Sequence, residues 1–312
     1  MKTLKIMFLA AGKRLSLLEC FQAAAATEGV ELSMYAVEWT RRSPIANIAS
    51  IIEGPKFESA GSDEFLLETA RRLKIDVVVP NSDPATILLS KLKKQLAESG
   101  TWAVVSDADL CAGMYDKIEA DAWFRRHEIA VPEDHGLPLI VKNRFGSGAK
   151  DQIIARHEDE LHAFFAHRNR QDYIVQTLVP GQEFSVDAYL TRTGRVLGAL
   201  TRKRIAVSDG EVDVSETFRH EGILNVTARV LSIEGWEGPI TLQFIEGPKG
   251  PVMIEVNPRF GGGVTHSIHC GLDMPRWILR ERLELPLDPA PEWPDGSFMT
   301  RSRRDTFHDN IG

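Results

Sequence analysis

The sequence predicts an α/β unit followed by an α+β architecture, and three observations carry that prediction. Short apolar strands alternate with amphipathic helices over the first 110 residues or so, the pattern of a parallel sheet with crossover helices. From Glu183 onward the strands lengthen and become antiparallel in type, with "ITLQFIEG" and "PVMIEVN" joined by the hairpin-like "GPKGP". The stretch "VMIEVNPRFGGG" then sets Glu255 and Asn257 at alternate positions of an otherwise apolar strand and ends it in Pro and three Gly.

The elements follow in order. Lys5 to Ala11 is a continuous apolar run closed by Gly12, suited to a parallel strand buried on both faces. Lys13 and Arg14 stand where a signal peptide would have a small-residue cleavage site, so the run reads as a first strand and not a leader. A helix over Leu15–Glu28, a strand over Glu31–Val37 and a helix over Asp63–Leu73 come next. The strand Asp76–Pro80, the amphipathic helix Pro84–Ser99 and the strand Trp102–Ser106 complete a first unit, 1–110. A second, small α+β unit, 111–180, has a helix over Lys117–His127 and strands at Leu139–Lys142 and Gln152–Ala155. A helix over Glu158–Ala166 and the strand Tyr173–Leu178 close it. The third unit, 181–312, holds the long strands, a helix over Asn225–Ile233 and a Pro-rich, then basic, extended end.

Composition narrows the function classes. Charged residues make up 26% of the 312 and the net charge is −7, which disfavours a general nucleic-acid surface. No apolar run is long enough to span a bilayer, so no membrane partner is expected. Three cysteines, Cys20, Cys111 and Cys270, lie far apart and form neither a zinc spacing nor a disulfide framework, which fits a reducing, cytoplasmic setting.

Two glycine loops invite a phosphate reading. In "KNRFGSGAKD", Gly146 and Gly148 follow a strand ending at Lys142; backbone N–H groups could approach phosphate oxygens there while the lysine adds a point charge. The loop is neither a P-loop nor a dinucleotide fingerprint, and a strand follows it, so it reads as a β-hairpin lid or as an ordinary Gly/Ser turn. "AAGKRLS" has a single glycine and reads as a strand–turn–helix junction, although such junctions lie at the ligand-binding ends of parallel strands and could face a second substrate.

Glu255 and Asn257, two residues apart on a strand, point to one face. Gln243 on the neighbouring strand can reach it. One carboxylate and two amide oxygens form a hard-oxygen set suited to Mg²⁺, which completes its shell with water and phosphate. Arg259 can neutralise a transferring phosphoryl group. The competing reading is a solvated strand edge; Val252, Ile254, Val256 and Phe244 argue for a buried sheet, where an uncompensated Glu255 is costly. His266 and His269 lie at helical spacing, with no further zinc ligands to hand, and read as core or surface histidines. "SRRD" reads as a solvated tail or an interface strand.

Taken in order, "DKIEADAWFRRHEIAVPE", "PLIVKNRFGSGAKD", "YIVQTLVPGQEFSVDAYL", "TLQFIEG" and "MIEVNPRFGG" resemble the ATP-grasp superfamily, in particular its carbamoyl-phosphate-synthase-like branch, over nearly the whole chain. The resemblance implies an ATP-grasp fold behind a Rossmann-like pre-ATP-grasp domain, with ATP and Mg²⁺ (or Mn²⁺) between two lobes. It implies Lys117 and Lys142 on the α/β-phosphates and Gly146, Ser147 and Gly148 as a lid. Gln176, Thr177, Leu178 and Val179 would meet adenine largely through backbone groups, and Glu183 the ribose. Gln243, Glu255 and Asn257 would bind metal and Arg259 the phosphate side, while Arg202 or Lys203 would reach the γ-phosphate or else lie on a solvated strand edge. Asp187 is a minor candidate for the substrate site. Gln176 departs from the Glu usual in relatives. The implied activity joins a small-molecule carboxylate, activated as an acyl phosphate, to an amine, with amino acids or small peptides as the default substrates and a homodimer as the expected assembly. A small-molecule kinase or a non-catalytic nucleotide-binding regulator are the alternatives.

Overall fold

The structure is a computed structural model and describes residues 2–133, 136–146, 151–208 and 211–308. Strands β1 (Lys2–Leu9), β2 (Val30–Glu38), β3 (Ser50–Glu53), β4 (Val77–Pro80) and β5 (Trp102–Ala103) form a parallel sheet in the order β3-β2-β1-β4-β5. Helices α1 (Leu15–Thr27), α2 (Ser62–Leu73) and α3 (Asp83–Glu98) cover its faces. Ile6 and Phe8 pack toward α1 while Met7 and Leu9 pack toward α2 and α3, which is why β1 is apolar at every position rather than at alternate ones. The strand order reverses between β1 and β4. The loops after those two strands, carrying Arg14 and Asp83, therefore flank the crevice where such sheets bind ligands.

Helices α4 (Ala108–Tyr115) and α5 (Lys117–Arg126) lead into a three-stranded antiparallel sheet. Its strands β6 (Leu139–Asn143), β7 (Ile153–Ala155) and β8 (Tyr173–Thr177) run in the order β7-β6-β8, with α6 (Glu158–Phe165) packed through Phe164 on Val141 and Tyr173. The third sheet is antiparallel, in the order β13-β12-β9-β10-β11-β14. It contains β9 (Gln182–Leu190), β10 (Val196–Ser208), β11 (Glu211–Thr217), β12 (Gly238–Gly247), β13 (Gly250–Asn257) and β14 (Phe298–Thr300). One of its faces is apolar: Phe184, Val186, Leu242, Phe244 and Val256 pack with α5 and with α7 (Glu221–Leu231). Helices α8 (Val264–His269) and α9 (Met274–Arg282) follow β13, and Leu272, Met274, Trp277 and Ile278 join the core on the α1 side of the parallel sheet.

The structure departs from the sequence expectations in identifiable places. The strand from Trp102 is two residues long, and α7 begins at Glu221 rather than Asn225 because His220 caps it, its ring nitrogen accepting from the Ile223 amide. Elements β3, α4, β11, α9 and β14 had no expected counterpart; all are short, and α9 hides its apolar side chains among four charged ones. Within β13 the pairing slips by one residue between Gln243–Glu255 and Phe244–Met253, leaving Ile254 as a bulge. Met253, not Ile254, therefore packs beside Val256 in the core, and Ile254 and Val252 are only half-buried.

Phe244 lies at 0% exposure in the middle of the apolar face. Phe244→Ala is expected to cost about 3–5 kcal/mol of stability, read as a lowered urea midpoint for the transition that reports this sheet.

Candidate functional site

Register determines which side chains share the polar face of the six-stranded sheet. Directly paired residues lie on one face, so Glu255, Gln243, Ser185, Arg202 and Thr217 form one row across β13, β12, β9, β10 and β11. Asn257, Thr241 and Asp187 form the next row. Among the described residues the Glu255 carboxylate and the Gln243 amide have no hydrogen-bond or ion-pair partner, and they stand directly opposite each other. Asn257 differs: its Oδ1 accepts from Arg259 Nη2 at 3.0 Å, which leaves that oxygen one lone pair.

The same register removes Lys203 from this group. Lys203 pairs with Phe184 and Glu216, in the row of Phe244, on the opposite face of the sheet from Glu255. Its ammonium lies 3.8 Å from the Phe218 ring centroid and 3.6 Å from Glu216. The expectation that Lys203 reaches a nucleotide phosphate is thus corrected by strand parity; its neighbour Arg202 has the inward position.

The small sheet faces Glu255 across a cleft. Val141 points into the small core, so Lys142 points the other way, on the same face as Ile140 and Gln176. Burial pulls the Lys142 ammonium below its ordinary pKa; the Glu255 charge opposes that shift and Lys117 adds to it, which locates all three groups together. Lys117, at the start of α5, donates from Nζ to the Gly146 carbonyl at 2.6 Å and so ties the glycine loop to the cleft. Tyr115, Lys117, Gly146, Glu255 and Asn257 line a pocket together with Asp83. Ser147 and Gly148 lie outside the described residues.

At the connection from β8 to β9, the amides of Thr177 and Leu178 are taken by the carbonyls of Glu133 and Pro138, at 3.1 and 2.9 Å. The Val179 amide has no such acceptor among the described residues, so the backbone donors available there are fewer than expected. Gln176 Nε2 donates to Asp121 at 2.9 Å. Glu183, at the exposed start of β9, accepts from Arg204 Nε at 3.0 Å. Arg204, the last residue of the basic stretch Thr201–Arg204, thus meets Glu183, whereas Asp121 carried no signal of its own and only helix phase could have brought it forward.

Arg259 is 8% exposed, and each of its three side-chain nitrogens makes one hydrogen bond, leaving two N–H groups uncommitted. Its Nε donates to Asp83 at 2.6 Å, its Nη2 to Asn257 and its Nη1 to the Phe260 carbonyl at 3.3 Å. Burial works against the charge, but Asp83, together with Glu255 and Glu211, outweighs it and the pKa rises. Behind it lies a buried hub. Asp187, at 0% exposure, accepts from Arg202 Nη2 (2.6 Å), Ser267 Oγ (2.6 Å) and Thr241 Oγ1 (2.8 Å). His266 is a core histidine hydrogen-bonded to Ser215 at 2.9 Å, and His269 is exposed, so the two do not converge. Among the described residues no three His, Cys, Asp or Glu side chains cluster as a metal site, and no helix is long and apolar enough to cross a membrane.

Comparison with known proteins bears on the fold. Residues 169–302 match the family model described as ATP-grasp in the biosynthetic pathway with Ter operon. The large chain of carbamoyl phosphate synthase from Clostridium perfringens is 22% identical over 233 residues, 64% of this chain and 22% of that one. The arginine-specific large chain from Halalkalibacterium halodurans is 21% identical over 273 residues, 74% of this chain and 26% of that one. The chain thus spans about a quarter of the length of the curated relatives it matches. N5-carboxyaminoimidazole synthetase from Staphylococcus aureus, complexed with ADP, superposes with a TM-score of 0.77 at 14% identity, covering 96% of this chain and 83% of that one. The biotin carboxylase domain of Hydrogenobacter thermophilus 2-oxoglutarate carboxylase, a dimer in complex with MgADP, ADP and bicarbonate, gives 0.71 at 16% identity, covering 94% and 73%.

His266 yields a pH prediction. Burial, and secondly the Arg202 charge, lower its pKa from 6.5 to about 4, so the folded state holds it neutral. The unfolded chain then binds the extra proton, and His266's contribution is present above pH 6.5 and lost as pH falls toward about 4. The stability gap between wild type and His266→Gln is expected to shrink between those two pH values in urea titrations.

Proposed function

We propose that this chain is an ATP-grasp enzyme, an ATP-dependent ligase that activates a small-molecule carboxylate as an acyl phosphate and transfers the acyl group to an amine. The observation that carries the reading is the pair of uncommitted, opposed oxygen donors of Glu255 and Gln243, with the half-buried Lys142 close enough to feel the Glu255 charge and Lys117 tied to Gly146 beside them. One carboxylate oxygen pair and amide oxygens suit Mg²⁺, which keeps few protein ligands and takes the rest of its shell from water and phosphate. The donor set therefore fits: Glu255 and Gln243 would hold the ion, and the remaining lone pair of Asn257 would assist.

Bound metal would neutralise phosphate charge. This chain's own residues would do the rest by position and charge. Lys142, desolvated and aimed into the cleft, would meet phosphate oxygens; Lys117 would exchange its contact with Gly146 for one with phosphate, releasing the loop to settle over the nucleotide. Val179's amide and the open Oε1 of Gln176 would meet the base, and Glu183 the ribose. Arg259, held rigid by Asp83, would receive the carboxylate beside the transferred phosphoryl group. The ligand-bearing relatives support this reading, since the Staphylococcus aureus protein holds ADP and the Hydrogenobacter thermophilus domain holds MgADP and bicarbonate. Attack of the carboxylate on the γ-phosphate gives the acyl phosphate and ADP; the amine then displaces phosphate. A kinase would stop at the phosphorylated product, and mass spectrometry of the product separates the two.

ADP release by the purified protein, screened against pooled carboxylates and amines with Mg²⁺, tests the proposal. Glu255→Gln is expected to lower turnover by about 10²–10³-fold with an unchanged unfolding midpoint; near wild-type turnover sinks the metal assignment. Lys203→Ala, on the far face of the sheet, is expected to stay within about twofold of wild type, in line with a surface substitution away from the site.

A further inference from the structure

The turn that follows β13 is ringed by arginines. The Phe260 carbonyl accepts from Arg14 Nη2 at 3.4 Å and from Arg259 Nη1 at 3.3 Å. Arg14 Nη1 donates to the Gly261 carbonyl at 3.0 Å, and Arg301 Nη2 to that of Gly262. Arg202 Nη1 lies where a side chain at Gly263 would begin, so only glycine fits there. Four guanidinium groups thus meet four consecutive residues in a chain whose net charge is −7.

Their counter-charges do not balance. Asp83 pairs with Arg259, Asp187 with Arg202 and Glu211 with Arg301. Among the described residues Arg14 has only the two backbone carbonyls. Burial and the neighbouring Arg259 charge bring its pKa down to about 10, the behaviour of a cation short of an anion. A second, independent deficit lies in Arg202: it is 1% exposed, and its Nη1, beneath the turn, has no hydrogen-bond partner among the described residues. A third lies in the backbone. Arg14 precedes α1, a helix of 13 residues with no side-chain cap and no acid in its first turn, and the amides of Leu15 and Ser16 have no acceptor among the described residues. Helix α3, across the same crevice, is capped by Ser82 and has Asp83 in its first turn. Arg14 and Gly262 are both partly exposed, so the spot can be reached from solvent.

We propose that this arginine-ringed turn, together with the start of α1, binds an anionic group of the substrate separate from the carboxylate that reacts, so that the preferred substrate is a dianion. The anion is a carboxylate or a phosphoryl group; both match the fork of a guanidinium and the orphan amides. Arg259 is committed to Asp83 and Asn257 and feels the Glu255 charge, whereas the charges acting on Arg14 are those of Arg259, Glu211, Arg301 and Asp187. The two ends of the substrate would therefore be read by different units of the fold: the reactive end by the strand-terminal Arg259, the other by the first loop of the parallel sheet. This rests on the ligase reading for the identity of the occupant, but not for the existence of the anion site.

The test uses the full chain with Arg14→Gln and Arg14→Lys. Calorimetric titration with succinate and, separately, with inorganic phosphate distinguishes the two anion types and needs no turnover. The wild type is expected to bind at least one of them about tenfold tighter than Arg14→Gln, with Arg14→Lys intermediate and MgADP affinity equal in all three proteins. Binding of neither anion by the wild type, or equal binding by Arg14→Gln, overturns the site. In the ADP-release assay, Arg14→Gln is expected to raise KM for the dianionic substrate about tenfold while kcat stays within a fewfold range. Preferential turnover of monocarboxylates overturns the dianion inference and leaves the ligase reading intact. Arg14-dependent anion binding with no ADP release for any carboxylate overturns the ligase reading and leaves the anion site standing.

Discussion

The buried pair of Asp187 and Arg202 is the constraint on which the large sheet depends. Both side chains are withdrawn from water, and a carboxylate in that position is costly unless its lone pairs are matched by donors. Asp187 meets that demand with three donors drawn from β10, β12 and α8. A slip of one residue in either neighbouring strand would turn the carboxylate or its partners into the apolar face. The pair therefore fixes register more than it adds stability, and that register holds Gln243 opposite Glu255.

The same logic couples the units of the fold. The parallel sheet offers two loops at its switch point, and the large sheet fills the crevice with the segment after β13. Asp83 immobilises Arg259 from one loop and Arg14 holds Phe260 and Gly261 from the other. The first unit thus acts on the site without contributing a residue to the Glu255–Gln243 pair. Thr241 adds a steric limit, because any side chain at Gly261 would strike it.

Much of this was legible in the sequence, for reasons that can be located. Runs buried on both faces, such as Ile6–Leu9, are local signals that survive translation into structure; the alternation around Glu255 survives only toward Val256, because the bulge at Ile254 puts Met253 in the core instead. Lys203 shows their limit: the basic run was visible, but which of its members faces inward depends on a register set by Phe184 and Ser185 far away in sequence. Arg14 shows another limit. Nothing in "AAGKRLS" distinguishes a plain junction from a cation aimed at residues 246 and 247 positions downstream. Helix α9 was hidden because its four apolar contacts are interleaved with charges, and only the docked partner surface reveals which side matters.

The extra residue at Ile254 has a consequence for how this strand can change length. Both halves of β13 are already in phase with β12, the hairpin half through Met253 opposite Phe244 and the other through Glu255 opposite Gln243. Removing Ile254 would close the ladder without turning any side chain over, whereas removing a neighbour such as Val256 would exchange core for cleft. The strand therefore carries one position at which a deletion keeps every other side chain on its own face. A ruler that locates a carboxylate to within one strand step has, beside that carboxylate, a removable link.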